Sequence, residues 1–150
     1  YSPDPTDAGL LARTIHAYRA TVMVGTPTFA AGIARSAGPG ELDSLRLCVL
    51  GAEACPSRVR TLLGERCPAA TIVEGYGITE CSPVVSIQDE VSPPPGTIGR
   101  RLPSLEHRIV DMDTMTPVAR GTRGLLLVRG PSVFGGYLVG AQAKPSDPFV

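Results

Sequence analysis

The chain has 150 residues, 14 basic and 14 acidic side chains, and so a formal net charge of zero. That length suits one compact domain or a large piece of one, and a 43% hydrophobic fraction argues against disorder. Zero net charge speaks against a nucleic-acid partner, and no apolar run reaches the roughly 18 to 20 residues that span a bilayer.

From the start, "YSPDPTDAGLL" has neither the basic n-region nor the apolar h-region of a signal peptide. Thr6 or Asp7 caps a helix whose apolar positions Leu10, Leu11, Ile15 and Tyr18 recur at helical spacing. "TVMV" (Thr21 to Val24) reads as a buried strand stopped by Gly25. Thr26-Pro27 pairs a cap with a first-turn proline and predicts a helix from Pro27 to Ala37, which the "GPG" at Gly38 to Gly40 breaks. "LRLCVL" (Leu45 to Leu50) is the next strand. Pro56 opens a helix with Val59, Leu62 and Leu63 on its apolar face, Pro68 closes it, and "TIVE" (Thr71 to Glu74) is the third strand.

After Pro83 the helical signal stops. "VSPPPG" (Val91 to Gly96) is a rigid loop, and "EHRIVDM" (Glu106 to Met112) and "GLLLVRG" (Gly124 to Gly130) read as strands joined by a long turn-rich connection. Strands separated by helices imply βα units and a parallel sheet. The expected fold is α/β, a parallel sheet with flanking helices over residues 1–90, followed by a small β-rich subdomain over 91–150. The final "KPSDPFV" reads as cut within a loop, so a piece of a longer chain is expected.

Cys48, Cys55, Cys67 and Cys81 form no CxxC pair, and His16 and His107 are the only histidines. This spacing does not suit zinc and fits scattered, reduced thiols of a cytoplasmic protein. Neither histidine has a triad partner in a recognisable context, and no GxSxG elbow surrounds Ser82 beside Cys81.

In open α/β sheets ligands collect at the C-terminal ends of the strands. "GTPTF" (Gly25 to Phe29), "GAEA" (Gly51 to Ala54) and "GYGITE" (Gly75 to Glu80) fall at such ends, and neighbouring strands would bring them to one crevice. Gly75 and Gly77 let the backbone turn and a ligand approach without a Cβ in the way. Tyr76 between them can offer its face to a flat ring, Gly51-Ala52 can close on the other face, and Thr79 offers a hydroxyl. Glu80 is a hard oxygen ligand of the kind Mg²⁺ takes. GxG after a strand is equally a common tight turn. Neither a GxGxxG fingerprint nor a GxxxxGK[ST] loop is present.

"VEGYGITECSPVVSI" resembles the tyrosine-glycine-threonine-glutamate motif of the adenylate-forming acyl synthetases. "TVMVGTPTF", "LRLCVLGAEACP", "PPGTIGRRLP" and "GLLLVRGPSVFGGYL" resemble further segments of that superfamily, in its order, and together they cover most of the chain. The wording "GAEACP…EGYGITECSPVVSI…PGTIGR" is most similar to acyl-acyl-carrier-protein synthetases fused to a lysophospholipid acyltransferase. The resemblance implies a central fragment of an ATP-dependent ligase. Such an enzyme activates a fatty or other carboxylic acid as acyl-AMP and passes it to a thiol of coenzyme A or of a carrier protein's phosphopantetheine. It implies that Tyr76 stacks on adenine with Gly51, Ala52 and Glu53 opposite, and that Gly75 and Gly77 bound the nucleotide site. Thr79 is expected on phosphate, Glu80 on Mg²⁺, and Gly25, Thr26 and Phe29, with Gly51 and Gly77, along the acyl pocket. Phe29 reads equally as a core residue.

The superfamily's lysine-bearing phosphate loop, its ribose-binding Thr-Gly-Asp and its catalytic lysine have no match here. Lys144, the sole lysine, reads as a solvated surface charge, and Asp111 and Asp113 as turn residues. Arg100 and Arg101 suit a patch for an acidic carrier protein or mere solvation. The parent is expected in the cytoplasm or at the cytoplasmic face of a membrane. The fragment alone is expected to be inactive. A non-catalytic adenylate- or acyl-binding module and a purely structural fragment are the alternatives.

Overall fold

The structure is a computed structural model that describes residues 4–91 and 93–137, so Lys144 lies outside the described residues. It groups into two units, Tyr1–Tyr76 with Ile87–Arg100, and Gly77–Ser86 with Arg101–Val150.

The first unit is the α/β layer. Helix α1 (Ala8–Tyr18) starts where the Asp7 carboxylate accepts from the Leu10 N–H at 2.8 Å, and ends at Arg19 in the left-handed region. Strand β1 (Val22–Gly25) follows. Helix α2 (Pro27–Ser36) is capped by the Thr26 hydroxyl, which accepts from the Phe29 N–H at 3.2 Å, with Pro27 fixing the first turn. Its buried face is Ala30, Ala31, Ile33 and Ala34, small enough for α1 to approach until a Cβ on Gly32 would stand 3.6 Å from that of Ala8. Strand β2 (Leu47–Leu50) leads to helix α3 (Ser57–Arg66), which buries Val59 and Leu63. The Arg66 guanidinium donates to the Ala34 carbonyl at 3.0 Å and to that of Ala37, satisfying acceptors at the end of α2.

Strand β3 (Thr71–Gly77) completes a parallel set: Val22, Leu47 and Thr71 stand in register, as do Val24, Val49 and Val73. The parallel sheet with flanking helices expected from the sequence is therefore present. Its core holds Met23, Cys48, Leu50, Leu63, Cys67 and Ile72. All four cysteines are free, and the neighbouring Cys67 thiol, with burial, pushes the Cys48 thiol far above its usual range. The strand runs three residues past the expected "TIVE", so Gly75, Tyr76 and Gly77 are extended backbone, not a loop. Gln88 supports this end: its N–H donates to the Glu74 carbonyl and its side-chain carbonyl accepts from the Glu74 N–H, both at 2.9 Å. Only 2% exposed, the Gln88 amide also donates to the Pro94 and Thr97 carbonyls at 2.7 Å, which fixes the proline-rich loop.

In the second unit, the Ile78 N–H donates to the Pro83 carbonyl at 2.9 Å around a 3-10 turn at Thr79–Cys81. Gly77 is required there: a Cβ would fall 1.9 Å from the Pro83 oxygen. Strand β4 (Val84–Ile87) was not expected from the sequence. The two residues of β5 (Arg100–Arg101) follow, and the Leu102 N–H donates to the Val85 carbonyl at 2.9 Å. The two strands expected here are present as β6 (Glu106–Val110) and β7 (Leu125–Arg129), which pair antiparallel with Val110 and Val128 buried. Their long connection is organised by Asp111, whose Oδ1 accepts from the N–H groups of Asp113 at 3.0 Å and Thr114 at 2.9 Å. Arg101 turns its guanidinium back onto the Leu102, Pro103 and Leu105 carbonyls. Among the described residues no helix is long and apolar enough to cross a membrane.

Candidate functional site

The three strands of the first unit end side by side, and their ends are tied together. The Gly51 N–H donates to the Gly25 carbonyl at 3.1 Å. A Cβ on Gly51 would lie 3.3 Å from the Gly75 carbonyl, so the absence of a side chain lets the strand ends close up. The next residue, Ala52, sits at φ 68°, a left-handed conformation that is uncommon for a residue with a Cβ. Such outliers gather at ligand sites, where the surrounding structure sustains them.

Glu53 supplies that support. Its Oε1 accepts from the Thr28 N–H, in the first turn of α2, at 2.9 Å. A carboxylate there meets unsatisfied donors and the positive end of the helix dipole. Hydrogen bonds from the Thr28 side chain and N–H, with a smaller one from Thr26, hold the Glu53 carboxyl below its ordinary range. The Gly51–Glu53 turn is thus pinned across the top of β2 onto α2.

Glu74, one residue before Gly75, is a tie that the sequence did not disclose. Its Oε1 pairs with Arg60 of α3 at 2.5 Å, and its Oε2 accepts from the Cys55 N–H at 3.1 Å. Arg60 also donates to the Ile72 carbonyl at 2.9 Å. The available signal was a carboxylate at the end of a buried strand, which demands a partner. Its partner lies 14 residues away, beyond any local pattern.

Tyr76, half-buried, is the last residue of β3 in this unit. Gly25 and Phe29 line an apolar cavity of about 360 Å³ with Leu11, Ile15, Val24 and Ile33. Phe29 is 45% exposed, so it serves as wall and not as core. The hydroxyl of Thr26, expected along the same pocket, accepts from the Phe29 N–H as the α2 cap.

The second unit carries Gly77, Thr79 and Glu80. Thr79 is exposed at the start of the 3-10 turn. Glu80 accepts a hydrogen bond at Oε1 from the Tyr137 hydroxyl, and this bond holds its carboxyl below the usual range. Its backbone carbonyl accepts from the Phe134 N–H at 2.9 Å. Phe134 and Tyr137 meet edge to face with ring centroids 4.8 Å apart. Neither aromatic was singled out from the sequence, because 57 residues separate Tyr137 from Glu80. Among the described residues no three His, Cys, Asp or Glu side chains cluster as an all-protein metal cage. A lone ionised carboxylate suits a Mg²⁺ ion that keeps waters and takes substrate phosphate oxygens as its other ligands.

The family profile described as AMP-binding enzyme matches residues 1–138. A long-chain-fatty-acid–CoA ligase of Salmonella typhimurium is 33% identical over 138 residues, 89% of this chain and 24% of that protein. Among solved structures, the anthranilate CoA ligase AuaEII in complex with anthranoyl-AMP superposes with a TM-score of 0.76 at 25% identity, covering 89% of this chain and 26% of that one. Apo MatB from Rhodopseudomonas palustris gives a TM-score of 0.77 at 28% identity, covering 91% and 27%. The chain therefore spans about a quarter of the length of these relatives.

Proposed function

The chain belongs to the AMP-binding enzyme family, and from that premise we propose that it is the central part of an ATP-dependent acyl ligase. The parent joins a carboxylic acid to ATP, releases pyrophosphate, and passes the acyl group from acyl-AMP to a thiol. The observation that carries this reading is the close approach of Gly25 at the end of β1, Gly51 just past β2 and Gly75 within β3, at the C-terminal edge of a parallel sheet.

Each residue has a role in this proposal. Tyr76 stacks on adenine, and the bare Gly51 with Ala52 covers the ring's other face. Glu53, bonded to α2, fixes that turn in place. Gly75 and Gly77 keep the backbone thin on either side of the ring. Thr79 meets phosphate, and Glu80 holds Mg²⁺, which neutralises phosphate charge when bound. Gly25 and Phe29 receive the acyl chain in the apolar cavity, and Thr26 sets the start of the helix that forms its wall. The fatty-acid and anthranilate ligases among its relatives support a carboxylic, preferentially fatty, acid and coenzyme A as acceptor. The likeness of "GAEACP…EGYGITECSPVVSI" to acyl-carrier-protein synthetases supports a carrier's phosphopantetheine as the other acceptor to assay. On that likeness the parent works in the cytoplasm or at the cytoplasmic face of a membrane.

The test is a calorimetric titration of this chain with an acyl-sulfamoyl-adenosine, a stable mimic of acyl-AMP, beside Tyr76→Ala. Saturable binding that weakens by about tenfold or more in the variant is expected, given what aromatic stacking contributes. Equal affinity in both chains would remove Tyr76 from the nucleotide site.

A further inference from the structure

The segment 130–137 is fastened to the Glu80 turn step by step. Gly130 seats on Ser104 and Leu105, where a Cβ would fall 2.8 Å from the Ser104 carbonyl and 2.5 Å from the Leu105 side chain. The Val133 N–H donates to the Gly130 carbonyl at 3.1 Å and closes a turn. The Phe134 N–H then donates to the Glu80 carbonyl at 2.9 Å. Gly136, at φ 116°, bends the chain so that Tyr137 returns edge-on against Phe134. Tyr137 is 62% exposed, yet its hydroxyl reaches the Glu80 carboxylate.

A glutamate on a three-residue turn is a poor cation ligand if left alone. Its side chain samples many rotamers, and binding a metal must freeze them. A carboxylate offers about four lone-pair sites, so one accepted hydroxyl hydrogen leaves room for a cation. We propose that Tyr137 is a positioning residue for Glu80: its hydroxyl, aimed by the Phe134 contact, holds one carboxylate oxygen so that the other lone pairs stay presented to the cation accompanying the nucleotide. This rests on the reading of Glu80 as the Mg²⁺ carboxylate.

The experiment compares the full-length ligase with its Tyr137→Phe and Glu80→Gln variants. It measures the Mg²⁺ concentration that half-saturates ATP binding, AMP binding without metal, and nucleotide-free melting. Tyr137→Phe keeps the ring on Phe134 and removes only the hydroxyl. Its half-saturating Mg²⁺ should rise by about tenfold, in line with losing a hydrogen bond to a charged group, with AMP affinity and melting unchanged. Glu80→Gln should raise it further. A response in Glu80→Gln with none in Tyr137→Phe overturns the positioning role and leaves the Glu80 reading intact. No response in either variant overturns both. A lower Mg²⁺ requirement in Tyr137→Phe also overturns the proposal, since the hydroxyl would then compete with the cation. A loss of AMP affinity and melting temperature together would reduce Tyr137 to a packing residue.

Discussion

Glu53 shows how one exposed carboxylate can fix a ligand turn. Ala52 occupies a left-handed conformation that costs on the order of 1 kcal/mol or more, so its neighbour must return stability. Glu53 does so through the first turn of α2, and its carboxyl is held below the ordinary 4.5 by Thr28. A carboxyl depressed in the folded state contributes stability above its unfolded value, and that contribution is lost as pH falls through the folded one. Glu53→Gln keeps an acceptor oxygen for the Thr28 N–H and removes the charge. The variant should be less stable than the parent at neutral pH, and the difference should shrink as pH falls below 4.5. Urea midpoints at neutral and acid pH measure this. A difference that does not change with pH would mean that the charge contributes nothing. Asp4, Glu80 and Asp111 are depressed in the same direction, so part of the acid sensitivity will survive in the variant.

At the scale of elements, β3 is held from two sides: Gln88 bonds its backbone, and Arg60 ties its Glu74 to α3. The Arg60 and Glu74 side chains are 24% and 15% exposed, so the pair is largely shielded. Arg60→Met should cost about 1 to 3 kcal/mol in urea unfolding, because it strands a largely shielded carboxylate and the Ile72 carbonyl. Adding Glu74→Gln should recover part of that loss, and strict additivity of the two changes would show that they do not interact. Such ties explain what the sequence disclosed and what it withheld. α1 and α2 were legible from Asp7, Thr26 and Pro27, since caps are local chemistry. β1 and β2 were legible as apolar runs. The end of β3 was not, because Gly-Tyr-Gly looks like a turn, and the support just before it is made to Glu74 by Gln88, 14 residues on. β4 is four residues with no alternation to mark it. In the first unit the glycines at Gly25, Gly51 and Gly75 were readable, whereas the Glu53–Thr28 and Glu74–Arg60 bonds, like Glu80–Tyr137 within the second unit, depend on residues that only folding makes neighbours.

At the scale of the whole chain, the proposed function separates binding parts from reacting parts. The described residues supply an aromatic ring at the end of β3, an apolar cavity beside Phe29 and a carboxylate at Glu80. Activating a carboxylate with ATP also demands positive charge around the phosphates. The chain has no GxxxxGK[ST] loop and a single lysine. Enzymes lower barriers by at least about 8 kcal/mol, which one carboxylate-held cation alone does not provide. The 150-residue chain should therefore bind an acyl-adenylate mimic yet release no pyrophosphate above background from ATP, Mg²⁺ and a fatty acid. The proposed parent ligase should release it under the same conditions. Pyrophosphate release by the chain alone that depends on both ATP and acid would show that these 150 residues already hold the reacting groups, and that cations among their thirteen arginines do the work assigned to the missing lysines.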